Sequence, residues 1–316
     1  MAMQHIEGEN GVGKFVNDPN KAKAGLARII AESTKTWREL YGEIALPSVV
    51  TPASNAVVAV EKVAVETSVT PSLTVESLPS VEQLTRIESE ALKRFFGKDI
   101  VVPKPPQELF QTLETMSKLG FEPHFLPQVS LTEADKIPGW KVKPQSWFWQ
   151  NIKDGKPSAD AAVLQEGWYL VDGRGKPNYD NGQQRYEDDY LESIMANLRK
   201  TGKIQKYSSV PDSSRFGASP NEIEQVILPE VARKTGAKGN LTNKRYIEFN
   251  VWGNMFHPEW GQTDTLEWFA DEFGGGRRLF GGDSGGGGLG YVYDSWSDNR
   301  GDSVAFGPVV RFPSKP

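Results

Sequence analysis

The sequence predicts an α+β fold, and three observations lead there. Amphipathic periods of three to four residues are gathered into separate helical runs. Strand-like segments are short, aromatic and broken by Pro and Gly, and helices and strands fall in blocks instead of the βαβ alternation of a parallel sheet. No self-similar period of the solenoid or propeller kind is present.

The helices come first along the chain. Residues 18–43 place Ala24, Leu26, Ile29, Ile30, Trp37 and Leu40 mostly three and four apart; Pro19 suits a first turn and Pro47 stops the pattern. Residues 46–81 are rich in Pro, Ser, Thr, Val and Ala and lack an aromatic anchor, the composition of a linker. The high β-propensity of residues 57–69 leaves one or two strands as the alternative. Further helices are expected over 80–96, over 106–119 with Gly120 ending it, over 188–200 and over 220–235. The surroundings of Phe125, Trp140 and residues 147–149 read as short aromatic segments, GWYLVDG (167–173) as a strand, and 245–312 as short strands and long turns with little helix. The chain thus divides into an N-terminal helical segment (1–45), the linker (46–81) and a main domain (82–316). Of nine Trp, eight lie between Trp140 and Trp296, which puts the densest core in the second half.

Composition narrows the function. At 38% hydrophobic and 24% charged residues, the chain has the make-up of an ordinary globular protein. A formal net charge of −5 argues against nucleic acid as the main partner, because phosphate binding needs a basic field. No apolar run reaches the roughly 18 residues that a membrane span requires. Glu7 and Glu9 stand where a signal peptide would be basic, so no leader is expected; the cytoplasm is the default location and surface display stays open. The absence of Cys removes disulfides, thiolate metal sites and Cys nucleophiles together.

Several short motifs lack the context their chemistry needs. GENGVGKF (8–15) has phosphate-loop spacing up to Lys14, but Phe15 replaces the magnesium-binding hydroxyl and too few residues precede it to form a strand. GGDSGGGG (281–288) contains the string found around protease nucleophiles, yet none of His5, His124 and His257 has the matching local sequence and the chain ends soon after Ser284. GxGxxG at Gly285, Gly287 and Gly290 is followed by a strand-like YVYDSWSD instead of a helix. The three His are dispersed and form none of the usual zinc spacings, so no metal or other cofactor is expected. Glu187, Asp188 and Asp189 read as a solvated helix start. A carboxylate pair drawn from Glu259, Asp264 and Glu267 would suit a hydrolase, although carboxylates beside Trp260 and Trp268 are expected to cap turns.

One constellation keeps its context. Of 31 Gly, 11 fall between Gly274 and Gly301, interleaved with Tyr291, Tyr293, Trp296, Asp283, Asp294, Asp298 and Asn299. Val304, Phe306, Val309 and Phe312 follow as buried-strand positions that would pin the region to a core. Glycine-rich loops carrying Tyr, Asp, Ser and Asn have the composition of a recognition surface.

The run RRLFGGDSGGGGLGYVYDSWSDNRGDSVAFGPVVRF resembles the C-terminal block of the formylglycine-generating-enzyme branch of the C-type lectin fold, with Arg278, Gly281, Gly282 and Ser284 at its RGGSW-like turn. Ala305, Phe306 and Gly307 stand where that branch reads GFR, so its Arg is missing. With WYLVDGRGKPNYDNGQQRY, SRFG, YIEFNVWGNMFHPEWGQTDTLEWFADEFGGG and SWSDNRGDSVAF in order, the stretch from about Pro106 to Phe312 is similar to bacterial variable proteins of diversity-generating retroelements, whose 3′ coding ends are rewritten at template adenines. The resemblance implies a C-type lectin-like domain that binds a protein or cell-surface ligand and is not an enzyme. It implies a variable region over about 280–310, with Leu289, Trp296, Phe306 and Val309 as framework. Phe280, Asp283, Gly285, Gly286, Tyr291, Asp294, Ser295, Asn299, Gly301 and Ser303 are the candidate variable contacts; Tyr293 is either contact or framework. All these candidate residue types can be reached from an Asn codon by changing only its adenines. The N-terminal helices would support a homo-oligomer or attachment to a larger assembly. The enzymes of this fold need either cysteines or a histidine cluster for iron, which neither the composition nor the spacing of His provides.

Overall fold

Helix α1 (Val81–Phe96) begins where the Ser80 hydroxyl accepts the Gln83 N–H and the Gln83 side chain returns the bond to the Ser80 N–H, a reciprocal cap. It ends at Gly97, whose φ of 71° reverses the chain. Helix α2 (Gln107–Met116) runs through a 3₁₀ turn, Ser117–Leu119, into Gly120 at φ 78°, so both expected helices form with their expected ends. The computed structural model describes residues 78–313, which belong to one compact unit, Glu76–Pro316. The helix expected over 18–43, the motif at 8–15 and all but the last residues of the expected linker lie outside the described residues.

The remaining elements are β1 (Phe121–Leu126), β2 (Val129–Ser130), α3 (Ser146–Lys153), β3 (Val163–Leu164), β4 (Gly167–Asp172), α4 (Glu192–Lys200), α5 (Pro220–Glu222), α6 (Leu228–Thr235), β5 (Asn240–Asn243), α7 (Tyr246–Met255), β6 (Leu266–Glu272), β7 (Arg277–Gly281), β8 (Val292–Trp296), β9 (Val304–Phe306) and β10 (Pro308–Pro313). This is the mixed α+β architecture expected, with helices and short strands in blocks. One four-stranded antiparallel sheet has the order β1-β4-β10-β5, a second sheet the order β8-β7-β6-β9, and β2 pairs with β3. In the second sheet only β6 and β9 run parallel. Among the described residues no helix is long and apolar enough to cross a membrane.

The helix expected over 220–235 forms in three pieces. Ser219 and Glu222 cap α5, a π turn (Ile223–Ile227) follows, and the Leu228 N–H reaches back five residues to the Ile223 carbonyl. Pro229 explains the interruption, because it has no N–H for the regular ladder.

Two helices depart from expectation. Residues 245–312 were expected to hold little helix, yet α7 lies within them, and the aromatic residues 147–149 belong to helix α3. Helix α7 buries Tyr246, Ile247, Glu248, Phe249, Asn250, Val251, Trp252 and Gly253. A helix covered on all sides has no polar face, and therefore no period of 3.6 for a reader to find. It packs between the two sheets: Trp252 meets Tyr169 of β4 with ring centroids 5.2 Å apart, and Phe249 meets Phe269 of β6 at 5.1 Å.

Where the sheets meet, charge is buried. Arg215, 1% exposed, donates through Nη1 to Asp172 Oδ2 of β4 at 3.0 Å and through Nε to Asp189 Oδ2 at 2.8 Å, and it also bonds the Phe306 carbonyl of β9. Asp189, expected in a solvated helix start, is instead an interior partner of this cation. Replacing Arg215 by Met should destabilise the protein by about 3–5 kcal/mol in urea unfolding, since Asp189 loses its cation and Asp172 keeps only Arg174; a loss under about 1 kcal/mol would contradict the role given to Arg215.

Candidate functional site

The Gly-rich segment is a shaped loop joining β7 to β8. Asp283 accepts the Gly285 N–H at 3.0 Å, its carbonyl accepts the Gly288 N–H at 2.8 Å, and the Ser284 N–H bonds the Thr263 carbonyl at 2.8 Å. Gly282 has a φ of 92°, and a Cβ there would lie 2.8 Å from Phe249 Cζ, so both conformation and space demand glycine. Lys176 Nζ donates to the Gly282 and Thr265 carbonyls, fixing the loop base from below. Burial pulls that ammonium's pKa down to about 8, against the opposing charge of Glu267. Gly285 differs from its neighbours: a Cβ there meets only its capping residue, Asp283, at ordinary contact distance. At Gly286 a Cβ would collide with the Tyr291 ring at 2.4 Å, so these two candidate positions occupy one volume.

Beside this loop lies an open depression of about 310 Å³ lined in part by Val142, Asn254, Gln262, Ser284, Gly287 and Leu289. Two of these lining residues are tied together by Asn250, whose amide donates to the Val142 and Leu289 carbonyls while its oxygen accepts from Trp140.

Pairing in the β7–β8 hairpin sorts the candidates. Phe280 faces Tyr293 and Arg278 faces Ser295 on one side, with Leu279 opposite Asp294 on the other. Tyr293, 47% exposed, stacks on Trp147 of α3 with centroids 4.9 Å apart. Trp296, expected as framework, is 52% exposed and lies under the Arg277 guanidinium at 5.3 Å. Asp294 departs from its expected surface role: it is 7% exposed, shares the inward side of Leu279 and pairs with Arg277. Burial raises its pKa despite that cation. At the far end of the hairpin Asn299 donates to Ser295 Oγ at 2.7 Å, the Ser303 carbonyl accepts the Leu266 N–H, and Gly301 packs on Val304. The candidates therefore spread from the Gly loop, holding Asp283, Gly285, Gly286 and Tyr291, to Asn299, Gly301 and Ser303. The five-residue strands between these ends span about 14 Å at 3.4 Å per residue.

The carboxylates considered for hydrolysis each have a separate partner. Glu267 pairs with buried Lys244 at 3.0 Å, Asp264 accepts the Tyr179 N–H at 2.6 Å, and Glu259 lies 3.0 Å from His257 Nδ1. No protein-family profile, curated protein or solved structure matches the chain.

A second cluster escaped the sequence. The structure brings His124 of β1 and His257, just past α7, to either side of Glu122, which the dispersal of the His residues gave no reason to expect. The overlooked signal is that Glu122 and His124 are two apart on one strand and so share a face. Burial opposes charge on His124, but Glu88 and Glu122 outweigh it and lift its pKa to about 9. His257 is raised likewise by Glu122 and Glu259 against burial, and the two rings hold Glu122 far below the usual carboxylate range although its burial acts the other way.

The loop geometry separates tolerant from intolerant glycines. Gly285→Ala should change stability by less than about 0.5 kcal/mol, while Gly282→Ala should cost about 1–3 kcal/mol; urea unfolding of the two variants measures the difference, and equal effects would refute the distinction between the two positions.

Proposed function

We propose that the chain is a ligand-binding protein which displays a retroelement-diversified surface on a C-type lectin-like scaffold. The observation that carries this reading is the placement of exposed aromatics. Among the described residues the exposed aromatic side chains are Tyr179, Tyr293 and Trp296; the last two lie within the candidate variable segment, and Tyr179 reaches it through its hydroxyl bond to Asp302. Exposed Tyr and Trp beside polar groups are what a recognition surface needs, because they offer large contact area with little rotamer entropy to lose.

The ligand class follows from extent. Candidates spread along a hairpin of about 14 Å cannot all touch a small molecule, but they suit a macromolecular patch of about 800 Å². Tyr293 and Trp296 leave β8 on opposite sides, so the surface wraps an exposed sheet edge. Backbone bonds hold the Gly loop, which keeps the ordering cost of binding low. Asp294 joins Leu289, Phe306 and Val309 as framework, and Tyr293 and Trp296 become contacts.

Sequencing of the encoding locus tests the proposal. The expected result is a near-copy of the segment encoding residues 280–310 that differs only at adenines, with a reverse transcriptase gene nearby. Differences should fall on Gly285, Tyr291, Tyr293, Ser295 and Asn299 and spare Leu279, Gly282, Val292 and Phe306. A locus with neither the near-copy nor the reverse transcriptase would overturn the proposal.

A further inference from the structure

We propose that Glu122, His124 and His257 form a binding site for one divalent first-row transition cation, with two imidazole Nε2 atoms and one carboxylate as ligands. The site lies apart from the Gly loop and does not rest on the lectin-like reading.

The donor atoms already converge, all lying within 4.8 Å of one another. Glu122 Oε2 is 3.7 Å from His124 Nε2 and 3.6 Å from His257 Nε2. These separations are too long for hydrogen bonds. They lie at or about 0.1 Å above the upper end of the spacing of about 3.3–3.6 Å between ligands that each sit roughly 2.0–2.2 Å from a tetrahedral zinc ion. Among the described residues neither buried Nε2 atom has a hydrogen-bond partner, although His124 and His257 are only 3% and 7% exposed. A buried imidazole nitrogen left unpaired is costly unless something else occupies it.

The outer contacts are those that orient metal-binding imidazoles. His124 Nδ1 lies 3.1 Å from Glu88 Oε1, and Glu88 is itself held by the Phe125 N–H at 2.9 Å. His257 Nδ1 lies 3.0 Å from Glu259 Oε1. Each carboxylate favours a proton on Nδ1, so that when a cation displaces the Nε2 proton the Nε2 lone pair points inward. Stacking locks the planes: His124 lies on Phe256 with centroids 4.0 Å apart and His257 on Trp260 at 4.3 Å. Gly173 leaves room for the third ligand, since a Cβ there would come within 2.6 Å of Glu122 Oε1. The Glu122 side chain is 45% exposed, which opens the remaining coordination positions to solvent. Two His and one carboxylate with an open side is the donor set of solvent-accessible zinc or iron(II) centres, not of closed structural ones.

Zinc chloride titrated into the EDTA-treated, dialysed full chain tests the site by calorimetry, elemental analysis and thermal unfolding. The expected result is one equivalent bound with a Kd of about 1 μM or tighter, together with a rise in Tm. Because His124 and His257 are buried and their variants could fail to fold, the diagnostic variant is Glu122→Gln. This change preserves shape on a half-exposed side chain and should weaken zinc at least tenfold while leaving the metal-free protein folded. Less than about 0.1 equivalent of zinc on the unsubstituted chain would overturn the proposal, as would Glu122→Gln binding zinc within twofold of it.

Discussion

The fold depends on charges buried where its two sheets meet. Arg215 reaches Asp172 in the first sheet and the Phe306 carbonyl in the second, while its guanidinium lies 4.1 Å over the Tyr186 ring. Close by, Lys244 pairs with Glu267 and lies 3.9 Å over the Trp260 ring. Between these pairs the chain passes from β9 to β10 at Gly307, where a Cβ would meet Lys244 Nζ at 2.4 Å. Buried ion pairs contribute little net stability, because desolvation offsets the Coulombic gain. Their effect here is on register: a slipped strand would strand an unpaired charge in the interior, a far larger penalty than a mispacked methyl group.

With that seam fixed, the β7–β8 hairpin can be anchored from within. Arg278, placed by resemblance at the RGGSW-like turn, donates from β7 to both oxygens of Glu224 in the π turn. Leu279, Asp294 and Val292 face the core, and Gly281 lies against the Tyr291 carbonyl. On the side that Arg278 shares, Tyr293 and Ser295 of β8 stay at least partly open to solvent. Tyr293 and Ser295 can therefore change without disturbing the positions that hold the strands, and Gly285 has space for a side chain.

The sequence made some features legible and hid others for definite reasons. Ser80 with Gln83, Gly120, and Ser219 with Glu222 mark helix ends through local chemistry, so the helices they bound were readable. The apolar positions Val304, Phe306, Val309 and Phe312 likewise pointed to β9 and β10. Helix α7 was hidden because an all-buried helix has no amphipathic signal, and α3 because its aromatics masked a short helical turn. Asp294 was misplaced because an acidic residue in a Tyr- and Ser-rich segment looks exposed, whereas the partner that brings it inside, Arg277, is identified only by strand pairing. The Glu122, His124 and His257 cluster was hidden by topology, since β1 and the end of α7 are distant in sequence and adjacent only in the folded chain.

Under the proposed function, a diversified surface and an unvaried scaffold would make opposite demands on the same glycines. Gly281, Gly282, Gly288 and Gly290 each lie where a Cβ would strike the protein within 3 Å, so a change at any of them disturbs the loop itself. Gly286 can gain a side chain only if Tyr291 moves, which couples the two positions. Under the proposed function, an adenine-directed process that altered all of these codons equally would spend most of its products on misfolded protein. Confinement of variation to Gly285, Tyr291, Tyr293, Ser295 and Asn299 would leave the loop bonds of Asp283, the core contacts of Leu279 and the Arg278–Glu224 tie intact. Under that proposal, diversity at this surface would be compatible with a single fold because the varied positions lie outside the contacts of Leu279, Asp294 and Arg278 that hold the hairpin.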